Sequence, residues 1–281
     1  MGNILWLASY PKSGNTWLRA FLANLVVDQS TPLKPNELSE YGEAEASAER
    51  YTEVSGRPST TLAAEELAAL RLQVHALIAQ RAQGTRLVKT HNFNGSFQGH
   101  PLVNWQVTAG AIYVVRNPLD VAVSMTHHFG VTVDAAVDRL GDDRVVSIND
   151  TALASDFICS WSTHVKSWAD MAERVPGKII VLRYEDLLER PAKNFAKAAK
   201  LIGLGKDKAR VARAIAHARF QTLSALEKKH GFVETVDEKT NFFRRGCANQ
   251  WREALNRDQV ERIVHDHREQ MLRFRYMPAG Y

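Results

Sequence analysis

Little in this 281-residue chain is extreme, and what is scarce narrows the reading. It has only two cysteines, Cys159 and Cys247. They form neither a metal-ligand spacing nor a disulfide framework, which predicts a reducing, cytoplasmic setting. No apolar run approaches the roughly 18 residues that cross a bilayer, so a spanning helix is not expected. The first apolar stretch is short and lacks a basic region before it, unlike a secretory signal. Charge of one sign is also scarce: 36 basic residues against 31 acidic ones leave +5. That excess is too small for a dedicated nucleic-acid binder and suits a site for a small polyanion. Internal repeats and low-complexity linkers are missing. So is the G-x-x-x-x-G-K-[ST] phosphate loop of the nucleoside triphosphatases.

Hydrophobic residues make up 45% of the chain, enough for a sizeable core. The length fits one large α/β domain or two small ones, and a single domain over residues 1–281 is expected. Ile4–Ala8, Arg86–Lys89, Ala111–Val115 and Lys178–Leu182 are nearly continuous in Val, Ile and Leu. Such runs mark strands buried on both faces of a parallel sheet. Helical spacing predicts a helix over about 62–82, with Leu67, Leu70, Val74, Leu77 and Ile78 on one face. A second is expected over about 152–174, with Phe157, Trp161, Val165 and Trp168, and others over about 191–202, 206–217 and 256–274. Residues 28–61, 92–108, 130–150 and 228–243 are polar and turn-rich. They read as long loops at one edge of the sheet, where binding pockets are built.

The most informative segment is Tyr10-Pro11-Lys12-Ser13-Gly14-Asn15-Thr16-Trp17. A strand precedes it, and an amphipathic helix with Leu18, Phe21, Leu22, Leu25 and Val26 follows. A turn of this kind points backbone N–H groups into a concavity at the positive end of a helix dipole. Lys12 adds a mobile cation, and Ser13 and Thr16 add hydroxyl donors. Together they make a cradle for a phosphate-like anion. A second strand ends at Arg116, where Asn117 suits the N-cap, Pro118 the first helical position and Asp120 the first turn. That local grammar leaves unexplained an arginine at the carboxyl end of a central strand, the edge where α/β sheets bind ligands. A third segment, Arg244-Arg245-Gly246, suits a loop that wraps an anion, since arginine makes bidentate phosphate contacts. Among ten histidines, His91 differs in ending a buried strand, within Lys89-Thr90-His91.

These segments resemble, in order, the nucleotide motifs of sulfotransferases that use 3′-phosphoadenosine-5′-phosphosulfate (PAPS). Residues 10–17 are similar to Y-P-K-S-G-T-T-W, with Asn15 for one threonine. Residues 116–124 are similar to R-N-x-x-D-V-x-x-S, whose arginine and serine hold the 3′-phosphate, here Arg116 and Ser124. Residues 244–251 are similar to R-K-G-x-x-G-D-W, with Asn249-Gln250 replacing Gly-Asp. Tyr184-Glu185-Asp186-Leu187 resembles Y-E-D-[LM], whose tyrosine borders adenine, and Phe220 resembles an adenine-stacking aromatic. Lys89-Thr90-His91 resembles K-T-H, which supplies the catalytic base.

The resemblance implies a P-loop-like, three-layer α/β fold with a central, mainly parallel sheet flanked by helices. It implies that Lys12, Ser13, Gly14, Asn15, Thr16, Trp17, Arg116, Ser124, Tyr184, Phe220, Arg244, Arg245 and Gly246 bind PAPS and its product adenosine 3′,5′-bisphosphate (PAP). His91 is the expected base, with Lys12 and Lys89 meeting charge on the leaving phosphate, and no metal is expected. The acceptor is read as a small alcohol or phenol, from Phe93, Phe97, Trp105 and Phe129 in the loops. The short dimerisation motif of many animal members is missing after Trp251, which leaves oligomeric state open. A small-molecule kinase and a non-catalytic nucleotide-binding or polyanion-binding module are the alternatives. Intact Lys12, Lys89 and His91 argue against the latter. The lack of a Walker A lysine, and Arg116 where an acid would be expected, argue against the former.

Overall fold

The computed structural model describes residues 3–235 and 241–281. The expected strands form, three of them longer than their apolar runs and the fourth shifted by one residue. They are β1 (Asn3–Ser9), β3 (Thr85–Thr90), β6 (Thr108–Val115) and β7 (Ile179–Arg183). A two-residue strand, β2 (Glu43–Ala44), completes a five-stranded sheet of order β2-β3-β1-β6-β7. β4 (Ser96–Phe97) and β5 (His100–Pro101) make a separate hairpin. β1 pairs with β3 in parallel, from Asn3 beside Thr85 to Ala8 beside Thr90. Ile4–Ser9 of β1 and Gly110–Val115 of β6 are buried throughout. That fits the continuous apolar runs of a sheet covered on both faces. The fold is α/β, a central, mainly parallel sheet flanked by helices.

The chain divides into two compact units. One holds Met1–Tyr10, Gly42–Tyr113 and Asp142–Val181. It contains the sheet, apart from the last two residues of β6 and of β7, and the helices Ala48–Ser55, Ala64–Arg81 and Trp161–Arg174. The other holds Pro11–Tyr41, Val114–Gly141 and Leu182–Tyr281, with the helices Asn15–Val27, Pro118–Phe129 and those that follow β7.

Several local expectations need correction. The helix expected over 152–174 begins only at Trp161, where Ser160 caps it by accepting from the Thr163 N–H at 3.2 Å. Phe157 is buried in an irregular stretch before it. The segment 28–61 carries the helix Ala48–Ser55, and 130–150 carries Val133–Gly141. Polar composition hid both, because each buries a narrow face. Val26 is 43% exposed rather than buried. In Ala64–Arg81, Leu70 and Leu77 are only half-buried, while Arg71 and His75 are fully buried. Residues 236–240 of the expected loop 228–243 lie outside the described residues.

Candidate active site

The cradle lies in the second unit. Lys12 has φ 65° and Gly14 φ 105°, so the turn needs left-handed backbone twice within three residues. At Gly14 only glycine fits, because a Cβ there would stand 2.7 Å from the Tyr184 ring. The helix Asn15–Val27 then starts with no side-chain cap and no acidic residue in its first turn. Its first amides therefore sit at the positive dipole end with no carboxylate from that turn to meet them. Ser13 is fully buried, and its Oγ has no hydrogen-bond partner among the described residues. A buried hydroxyl left in this way calls for a partner, and an anion oxygen in the turn would supply one. The Lys12 Nζ lies 4.4 Å over the Phe242 ring.

Arg116 ties this turn to its neighbours. It is 6% exposed. Its Nη1 donates to the Lys12 carbonyl at 3.0 Å and its Nη2 to the Cys247 carbonyl at 3.3 Å. Its guanidinium lies 4.4 Å over the Tyr184 ring. Arg244 is pushed below the usual arginine range, by partial burial first and then by Arg245 and Arg116. His127 is pushed down too, by burial and then by Arg244 and Arg245. Arg244 therefore feels both other guanidiniums, beside the helix that carries Ser124, half-exposed one turn before His127. Like charges crowded in this way favour a bound anion.

The replacement of Gly-Asp by Asn249-Gln250 leaves this loop ordered. Asn249 takes the left-handed backbone itself, at φ 63°, a conformation asparagine tolerates. Gln250 accepts from Arg244 and donates to the Cys247 carbonyl. Asp120 is more than a dipole partner, because its carboxylate accepts from the Asn249 N–H at 2.7 Å and the Trp251 N–H at 3.1 Å.

The aromatics expected near adenine also come together here. Trp17 meets Tyr184 edge-on at 5.6 Å, and its Nε1 donates to the Ala218 carbonyl at 2.8 Å. Phe220 opens the helix Phe220–His230, half-buried, with its ring against Gly246 where a Cβ would overlap it. Sequence reasoning missed Glu234. Its carboxylate accepts from the Thr16 hydroxyl at 3.2 Å and from the buried Arg19 at 2.6 Å. Nothing local in the sequence marks a partner more than two hundred residues from Thr16.

His91 lies in the first unit, just past β3 and half-buried. The parallel register sets Ala8 beside Thr90, one residue before Ser9 and His91. The His91 Nδ1 is 2.7 Å from the Ser9 carbonyl oxygen. A carbonyl only accepts, so Nδ1 carries the proton and Nε2 the lone pair. Around the strand end is a cluster of buried polar groups. Glu45 is fully buried and accepts from Arg71, from Tyr51 at 3.0 Å, from Thr90 at 3.0 Å and from Asn92 at 2.6 Å. Arg71 and its other partners hold the Glu45 carboxyl down at about 2 despite its burial. Asp156 accepts from Asn92 at 3.1 Å and from the His91 N–H. Burial and then the Glu45 charge raise it to about 7, against the pull of Arg71 and Lys89. Phe93 and Phe97 pack on the core cluster of Ala68, Leu102 and Phe157, and Trp105 lies 6.5 Å from Trp168. These three anchor the first unit's core. Phe129, in the other unit, is 40% exposed.

The sequence pattern of the sulfotransferase domain family matches residues 3–275. The chain is 24% identical to sulfotransferase 1B1 of Mus musculus over 261 residues, 92% of this chain and 79% of that protein. It is 23% identical to flavonol 3-sulfotransferase of Flaveria bidentis over 273 residues, 93% of this chain and 79% of that one. Among solved structures it resembles mouse sulfotransferase SULT7A1 complexed with PAP, at TM-score 0.63 and 20% identity, covering 96% of this chain and 84% of that one. It also resembles retinol dehydratase in complex with androsterone and PAP, at TM-score 0.66 and 19% identity, covering 95% and 80%. These likenesses identify the fold as the P-loop-like α/β fold of those proteins. On the match across residues 3–275, the chain belongs to the sulfotransferase domain family and is a PAPS-dependent sulfotransferase.

Proposed function

We propose that this enzyme transfers the sulfuryl group of PAPS to the hydroxyl of a small alcohol or phenol, with His91 as general base. The carrying observation is that one unit holds two anion-seeking places. They are the turn around the partnerless Ser13 hydroxyl and Arg244 with the two arginines that repel it, Arg245 and Arg116. PAPS carries charge at its 5′-phosphosulfate and at its 3′-phosphate, which accounts for both. Ser13, Gly14, Asn15 and Thr16 would hold the phosphosulfate end. Arg116, Ser124, Arg244, Arg245 and Gly246 would hold the 3′-phosphate, and Trp17, Tyr184 and Phe220 the adenine. PAPS supplies the activated sulfuryl group and a phosphate leaving group. Its in-line displacement follows the logic of phosphoryl transfer.

Charge growing on that leaving phosphate is met by Lys12, by the amides at the helix start and by Lys89. The lone pair on His91 Nε2 takes the acceptor's proton. A small-molecule acceptor is supported by the structural neighbours, whose bound ligands include retinol and androsterone. A cytoplasmic setting is supported by relatives named cytosolic sulfotransferases. Release of PAP from PAPS across a panel of alcohols and phenols tests the reading. Turnover with at least one of them is expected, and none with any would overturn it.

A further inference from the structure

His91 belongs to a ring of hydrogen bonds that closes on itself within the first unit. The Tyr10 N–H donates to the Tyr113 phenol oxygen. The Tyr113 hydroxyl lies 2.9 Å from His164 Nδ1. His164 Nε2 lies 3.1 Å from the His91 carbonyl oxygen. His91 Nδ1 lies 2.7 Å from the Ser9 carbonyl oxygen. The Ser9 carbonyl and the Tyr10 N–H are two ends of one peptide group, so the ring is complete. Tyr113 and His164 are fully buried.

The donor in each link is fixed. Carbonyl oxygens only accept, so His164 Nε2 and His91 Nδ1 both donate. Burial pushes His164 down to about 3 and keeps it neutral, so its Nδ1 carries the lone pair. Tyr113 already accepts from Tyr10, and its own proton goes to that nitrogen. Every donor points the same way around the ring. Tyr113 fixes the tilt of the Ser9–Tyr10 peptide, which aims the Ser9 carbonyl at the His91 ring. His164 fixes the His91 main chain from the other side. We infer that Tyr113 and His164 are positioning residues that select the Nδ1-protonated tautomer of His91 and so present Nε2 as the proton acceptor. The hydroxyl of a buried tyrosine and the imidazole of a buried histidine thereby act on the reaction through His91, without touching substrate.

The catalytic half of this inference rests on His91 being the base, and the tautomer half does not. The test uses the full chain with nitrogen-15-labelled histidine, the His91 signals being assigned by their loss in His91→Asn. In the wild type, neutral His91 is expected to show a protonated Nδ1 and an unprotonated Nε2. In Tyr113→Phe and in His164→Leu the two tautomers are expected to mix. Turnover should fall roughly 10- to 100-fold, the usual cost of losing an outer support or of a small misplacement. The PAP dissociation constant should stay unchanged. His164→Gln keeps a donor towards the His91 carbonyl and should restore most of the turnover. Tyr113→Phe removes one oxygen atom and carries the test if His164→Leu does not fold. An unmixed tautomer and wild-type turnover in Tyr113→Phe would overturn the inference. Mixed tautomers with wild-type turnover would keep the positioning and remove His91 as the base.

Discussion

The anion turn and the end of β3 are built on opposite physical plans. The anion turn is local. Its shape comes from positive φ at Lys12 and Gly14, an uncapped helix start, and a glycine that lets the Tyr184 ring come close. The end of β3 is non-local. His91 is held through Ser9, Tyr113, His164 and Asp156, which come from four other stretches of chain. A site made of backbone conformation tolerates change poorly at its own few residues. A site made of buried hydrogen bonds spreads its dependence over residues that never meet substrate. The comparison therefore predicts that faults in the first plan appear in nucleotide binding, and faults in the second in turnover.

The sharpest separation comes from His91→Asn. Turnover is expected to fall about 10²–10⁴-fold, the usual worth of a positioned acid–base group, with PAP affinity unchanged. Steady-state kinetics beside calorimetric PAP titration checks both halves. Next in size is Gly14→Ala. It forces a side chain into left-handed backbone and against Tyr184, which should cost about 1–3 kcal/mol of stability. It should also weaken PAP at least several-fold, read from the unfolding temperature with and without PAP. A variant as stable and as tight as wild type would show that the close approach at Gly14 is dispensable.

How much of this was legible follows the same division. The strand–turn–helix of residues 3–27, the strand end before Arg116 and the Asn117 cap were all readable, because each is a run of neighbours with its own backbone grammar. The Asn117 side chain does accept from the Leu119 N–H, at 3.0 Å. The buried Arg71 and His75 were not readable, since a helix face gives no hint that a fully buried Glu45 lies opposite. Nor was Glu234, whose partners Thr16 and Arg19 are distant in sequence. Nothing in the sequence marks His164. It is fully buried, and its bond to the His91 carbonyl depends on how two separate segments meet.

The buried cluster offers a smaller effect with a definite sign. The Asp156 carboxyl is raised from 3.8 to about 7 in the fold. As pH climbs from about 4 to 7, the unfolded chain releases this proton while the folded chain keeps it, so stability falls across that window. Glu45 runs the other way. Lowered from 4.5 to about 2, it adds stability that is full above about 4.5 and lost as pH falls towards 2. Asp156→Asn should therefore flatten the decline in unfolding temperature between pH 5 and 7 and leave the acid limb in place. An unchanged decline would show that Asp156 is ionised throughout. The least effect is expected from Glu234→Gln. It removes a carboxylate that meets the Thr16 hydroxyl and the 4%-exposed Arg19. The protein without nucleotide should melt earlier, because a buried guanidinium loses its ion pair. The shift produced by PAP should grow, since phosphate no longer competes with that carboxylate. A smaller shift would mean that Glu234 supports the bound nucleotide.

The central claim is that Arg116, with Ser124, Arg244 and Arg245, reads a 3′-phosphate. Melting shifts with PAP and with ADP, on wild type and Arg116→Ala, test it directly. PAP at about 100 times its dissociation constant should stabilise wild type by roughly 2.7 kcal/mol. ADP, which lacks the 3′-phosphate, should stabilise it far less at the same concentration. Arg116→Ala should erase most of that preference and leave ADP binding nearly intact. A wild type that prefers ADP or ATP, or an Arg116→Ala variant that keeps the full preference for PAP, would contradict the account.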